Sequence, residues 1–146
     1  MTGGVGFHDY AAIYAEPGLY ERVFIEELGM RSTFEVVRLF GEALRELEID
    51  PAGQRVLTLS AIGPGHVPPV ALRRTLGLLQ PGGLYAFAVM PALLPGSDDE
   101  AGLATGYPDY LAELLGRSEE LVREAYVHRR QADGSPHEAV ALVGRV

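Results

Sequence analysis

The sequence predicts one three-layer α/β domain: N-terminal helices, then about four strands, parallel at first and ending in an antiparallel hairpin. Three observations carry this. Strand-like apolar runs at Arg55–Ile62 and Leu84–Met90 are separated by a helical stretch, and such alternation makes parallel strands joined by crossover helices. Two later strand-like runs, Glu124–Gln131 and His137–Val146, flank Asp133-Gly134, a strong hairpin signal. The length, 146 residues, is that of one domain, which divides into a helical lead-in at 1–53 and an α/β core at 54–146.

Each element has a local reason. Residues 1–18 are glycine-rich and then aromatic (Phe7, His8, Tyr10, Tyr14), with Pro17-Gly18 as punctuation. Leu19–Leu28 reads as a short helix closed by Gly29. Ser32 and Glu35 form a capping-box pattern, and the helix they open runs to about Glu48. Its Phe34, Val37, Phe40, Leu44 and Leu47 recur at helical spacing. Asp50-Pro51-Ala52-Gly53 is a turn. Pro69–Leu79 is helical and stops at Gln80-Pro81-Gly82-Gly83. Leu84–Met90 is apolar throughout, as a strand covered on both faces should be. Pro91–Gly106 reads as a mobile loop, Pro108–Leu115 as a helix, and Ser118-Glu119-Glu120 as a short helical turn. Ala139–Val143 is continuously apolar and fits an inner strand, whereas the more polar Glu124–Gln131 fits an edge.

Composition narrows the function classes. Net charge is -8, which argues against nucleic acid as a partner. No apolar run approaches ~20 residues, so no membrane-spanning helix is expected. The N-terminus has neither the basic region nor the apolar core of a signal peptide, so a cytoplasmic location is expected. There is no cysteine, hence no disulfide, thiolate metal site or cysteine nucleophile. All 12 basic residues are arginine and asparagine is absent too; the codon bias is that of a GC-rich bacterial genome. Schiff-base and P-loop lysines are thereby excluded.

Several segments together resemble the class I S-adenosylmethionine (SAM)-dependent methyltransferases. His8-Asp9-Tyr10-Ala11-Ala12-Ile13-Tyr14 looks like their aromatic lead-in, and Ile49–Leu57 like the entry to their first strand. Leu78-Leu79-Gln80-Pro81-Gly82-Gly83-Leu84 is similar to their LLxPGG turn, the most specific of these motifs. The terminal hairpin looks like their last two strands. The resemblance implies a reduced Rossmann-like, methyltransferase-type fold. It departs at Leu57-Thr58, where the family continues into an acidic residue and a glycine loop that cradles SAM. Here the chain continues Leu59-Ser60-Ala61-Ile62-Gly63-Pro64-Gly65-His66, as though the first strand were spliced onto the fourth. The glycine loop and strands two and three are missing, so no cofactor-binding residue is recognisable. The resemblance therefore implies a methyltransferase-like protein unable to hold SAM in the usual way and acting as a non-catalytic binding or partner subunit. Two alternatives stay open. One is a SAM-dependent methyltransferase of a small molecule, with a rebuilt or dimer-completed pocket. The other is a cofactor-free isomerase or cyclase using the aromatic N-terminus and His66.

Candidate site residues follow from the same segments. Gly63 and Gly65 offer backbone N–H groups to a small anion or substrate at a helix start, or they simply shape a connector. His66 is the candidate general base and equally a solvent-facing loop histidine. Ser60 sits where substrate would meet the strand end. Tyr10, Tyr14 and Tyr20 are candidate pocket walls or core packing. His128 and His137 flank the hairpin at unequal distances from Asp133-Gly134, and Asp98-Asp99-Glu100 reads as a solvated acidic loop. No metal site is expected. Loss of half the family sheet would leave Arg55–Ile62 as a bare apolar edge, which predicts a homodimer through that strand or a cover from the N-terminal helices.

Overall fold

The computed structural model describes residues 10–50, 56–59, 62 and 67–146. They fall into two compact units.

The first unit takes residues up to Arg31 together with Val127–His137. It contains α1, Tyr10–Ala15, and a π-helical segment, Glu21–Glu27, where a short helix is expected. Gly29 follows with φ +61°, the left-handed conformation of a helix-terminating glycine. A small core of Ile13, Leu19, Phe24 and Leu28 holds the unit together. Arg31 N–H donates to the His128 carbonyl at 2.8 Å, and Arg130 N–H donates to the Leu28 carbonyl at 2.7 Å. Segment Leu28–Arg31 thus covers part of the outer strand of the hairpin, which blunts that edge.

The second unit, Ser32–Tyr126 with Glu138–Val146, carries most of the secondary structure. Its elements are α2 (Ser32–Glu46), β1 (Val56–Leu59), α3 (Pro69–Leu76), β2 (Leu84–Val89), α4 (Glu100–Ala104) and α5 (Tyr107–Gly116). The long strands β3 (Glu119–Arg130) and β4 (Pro136–Arg145) follow, their tips belonging to the first unit. Strand order is β1-β2-β4-β3.

This corrects the expected fold. The sheet is not the parallel, Rossmann-like one: β2, β4 and β3 form a three-stranded antiparallel sheet with β4 in the middle. Among the described strands, parallel pairing is limited to β1 against β2, from Val56 opposite Leu84 to Leu59 opposite Phe87, with one isolated parallel bridge between Ile62 and Val67. The physical reason is plain. A continuous apolar run such as Ala139–Val143 says that both faces of a strand are covered; it does not say which way the strand runs. The hairpin turns β4 back along β2, so Leu84 pairs with Arg145 and Val89 with Val140.

Alternation across the sheet builds two cores. Tyr85, Phe87 and Val89 point to one face and meet Leu72 and Leu76 of α3 and Tyr107, Tyr110, Leu111 and Leu114 of α5. Ala86, Ala88, Ala141 and Val143 point to the other and meet Val36, Leu39 and Ala43 of α2. Gly144 lies opposite Tyr85, and a Cβ there would run into the tyrosine ring and hydroxyl. The missing side chain lets Tyr85 lie across β4 and share a 2.8 Å hydrogen bond with Ser118 Oγ.

Local corrections are informative. Ser118-Glu119-Glu120 does not make a helical turn; β3 already starts at Glu119. Pro91–Gly106 is not simply loop: it holds a 3₁₀ turn at Pro91–Leu93 and then α4. Asp99 caps α4, its carboxylate accepting the Gly102 N–H at 2.6 Å. The acidic cluster therefore has a local structural use. Among the described residues no helix is long and apolar enough to cross a membrane.

Candidate functional site

Most of the residues nominated by sequence around the glycine connector, namely Ser60, Gly63, Gly65 and His66, lie outside the described residues. The flanks of that connector are described. Ile62 is buried in the core under α3 and α5 and bridges to Val67. The Tyr107 hydroxyl, at the start of α5, donates to the Val67 carbonyl. Burial pushes Tyr107 up to about 12, so its hydroxyl keeps the proton it donates. Of the predicted dimer edge, Val56–Leu59 forms β1, at one end of the strand order, while Arg55, Ser60 and Ala61 lie outside the described residues.

Of the three candidate tyrosines, Tyr10 opens α1. Tyr14 and Tyr20 stack with ring centroids 5.3 Å apart, and Tyr20 continues onto Phe24 at 4.9 Å. Tyr20 packs on the small core of the first unit while Tyr14 is 66% exposed. The other glycine turn, at Gln80-Pro81-Gly82-Gly83, has both glycine amides engaged. Gly82 N–H donates to the Val146 carbonyl and Gly83 N–H to that of Gln80. The Gly82 N–H and the Gly83 carbonyl, which accepts the Val146 N–H at 3.0 Å, hold Val146, while the Gly83 N–H closes the turn itself, so neither amide is left for a cofactor cradle.

His128 and His137 do come together. Their rings are 5.9 Å apart, edge to face. The hairpin closes through the Gln131 N–H and the Ser135 carbonyl, not around Asp133-Gly134 as a symmetric centre, which is why counting from that dipeptide misses the pair. Burial first, then the charge of Arg129 and the neighbouring imidazole, hold His128 down at about 4. Burial and Arg129 lower His137 as well. Both rings are neutral at pH 7. No group of three or more metal-ligating side chains occurs among the described residues.

The feature that sequence reasoning places wrongly is the face of α2. Its spacing points to Phe34, Val37, Phe40, Leu44 and Leu47 as the apolar stripe, and of these Phe40 does pack, half-buried, against the core on the sheet side. The structure buries Val36, Leu39 and Ala43 and leaves Phe34 67%, Val37 56% and Leu47 47% exposed. The sheet offers α2 a layer of alanines, Ala86, Ala88 and Ala141, and the stripe that packs there includes Ala43, which lets the helix approach closely. Phe34, Val37, Gly41 and Leu44 form a second stripe, 3–4 residues apart, on the outer surface. A Cβ added to Gly41 would meet nothing within 4 Å. Beside it, Gly41, Leu44, Arg45, Glu48, Ile49 and Asp50 line an open depression of about 450 Å³.

Charges edge this stripe. Arg38 donates to Glu35 and Glu42 on its own helix, 2.8 Å each, and to Glu124 of β3 at 3.3 Å. Arg45, one turn beyond Glu42, forms no ion pair among the described residues. The available signal was quantity: α2 carries more large apolar residues than one core-facing stripe can hold. No family model, curated protein or solved structure matches this chain.

Proposed function

We propose that this chain is a non-catalytic binding or partner subunit and that the outer stripe of α2 is its working surface. One observation carries the reading: Phe34 and Val37 are more than half exposed on a helix whose opposite face, Val36, Leu39 and Ala43, is already packed on the sheet. An apolar stripe exposed beside a concavity, with charges along its flank, is the anatomy of a protein-binding patch. Methyltransferase descent remains part of the proposal through the Leu78–Leu84 turn alone. The engaged amides of Gly82 and Gly83 count against that turn as a cofactor seat. Isothermal titration with SAM and with S-adenosylhomocysteine tests the non-catalytic part. Neither ligand should give binding heat at high micromolar concentration. Saturable binding accompanied by methyl transfer to a small-molecule acceptor would overturn it.

A further inference from the structure

We propose that mild acid releases the N-terminal segment of the first unit from the hairpin tip, with His128 and His137 as the trigger and the second unit left folded. The placement of the two imidazoles carries this. Segment Leu28–Arg31 is fastened to the tip by two backbone hydrogen bonds, Arg31 N–H to the His128 carbonyl and Arg130 N–H to the Leu28 carbonyl. His128 is thus itself a fastening residue, and its ring lies edge to face on that of His137, 5.9 Å away. The apolar support of the segment is small, a cluster of Ile13, Leu19, Phe24 and Leu28.

A proton on either ring meets like charge. Arg129 acts on both imidazoles, and His137 acts on His128. Two imidazolium groups beside Arg129 make a cluster of three positive charges at the fastening point, where burial already disfavours charge. Arg31 and Arg130, at the two backbone hydrogen bonds, are cations as well. The described carboxylates of the unit are engaged or exposed: Glu16 pairs with Arg22, Asp133 accepts from Ser135, and Glu21, Glu26 and Glu27 stand in solvent. Glu138, beside His137 on β4, is exposed too. Opening lets both rings take protons in water, so acid favours the released form. The second unit carries no such trigger in its larger described core. The titratable groups under α3 and α5 are Tyr85, Tyr107 and Tyr110, which keep their protons in acid.

Hydrogen–deuterium exchange of the full chain, read by mass spectrometry and corrected for the intrinsic pH dependence of exchange, tests the proposal. Between about pH 7 and about pH 5, protection of Leu19–Arg31 and Val127–His137 should fall about 30-fold, the factor set by His128 titrating at about 4 folded and 6.5 unfolded. Peptides from β2 and α5 should keep their protection. His128→Phe combined with His137→Phe should hold the first unit closed at about pH 5. His128→Gln, which also cannot titrate, repeats the test should the double variant fail to fold. Arg129→Gln removes the third positive charge and should move the opening to lower pH. Wild-type protection that does not change, an equal loss in β2 and α5, the same loss in chains lacking the imidazoles, or an opening that Arg129→Gln does not move overturns the proposal.

Discussion

Helices α5 and α2 cover opposite faces of the same sheet, and they use their apolar residues differently. In α5 the large side chains go inward: Tyr107, Tyr110, Leu111 and Leu114 are all buried against Tyr85, Phe87, Val140 and Leu142. In α2 the residues that pack on the alanine layer are Val36, Leu39 and Ala43, while Phe34 and Val37 stay outside. The sheet residues explain the contrast. A face of tyrosine, phenylalanine and valine interlocks with large side chains; a face of alanines is filled by a closely approaching helix with modest ones. An amphipathic pattern therefore shows that a helix has apolar surface, but the partner face decides which stripe is used.

Substitutions break this comparison in graded steps. Leu111→Ala should cost the most, about 2–5 kcal/mol, because it empties a fully buried site. Chemical denaturation should show it as a lower midpoint with an unchanged slope. Ala88→Leu should cost about 1–3 kcal/mol by forcing α2 away from the alanine layer. An unaffected midpoint there would mean that the helix does not approach closely.

A pH effect of intermediate size should come from the first unit. His128 is held near 4 in the folded chain, against an ordinary value of 6.5. Between those values the unfolded chain binds more protons than the native one, so stability falls as pH falls. Stability should be full above about pH 6.5 and decline progressively towards pH 4, with His137 adding in the same direction. Denaturation midpoints measured across that window should fall less steeply in His128→Phe, which keeps the packing and removes the titration. The smallest effect should be Phe34→Ser, within about 0.5 kcal/mol of the native stability. A cost as large as that of Leu111→Ala would place Phe34 in the core and remove the basis of the comparison.

Much of the element list was legible in the chain. Pro68-Pro69, Gly29 and the Leu84–Val89 run mark a helix start, a helix end and a buried strand through local chemistry, and the structure has those features within a residue or two. Asp133-Gly134 marks a hairpin, but the closing pair is Gln131 and Ser135, which moves His128 and His137 into contact. Less of the candidate site was legible. The glycine connector drew attention because its residue types carry chemistry. The outer stripe of α2 did not, because Phe34 and Val37 look like core residues until something else occupies the core.

By itself, then, the sequence determined where chain segments would become helices and strands, since periodicity, caps and turn residues act over a few positions. It also determined that β2 and the apolar half of β4 would be buried on both faces. Only the tertiary structure decided that β4 enters antiparallel beside β2, and that α2 turns its smaller stripe inward. Both depend on the partner across the interface, and a local pattern carries the need for burial without specifying the direction or identity of what buries it.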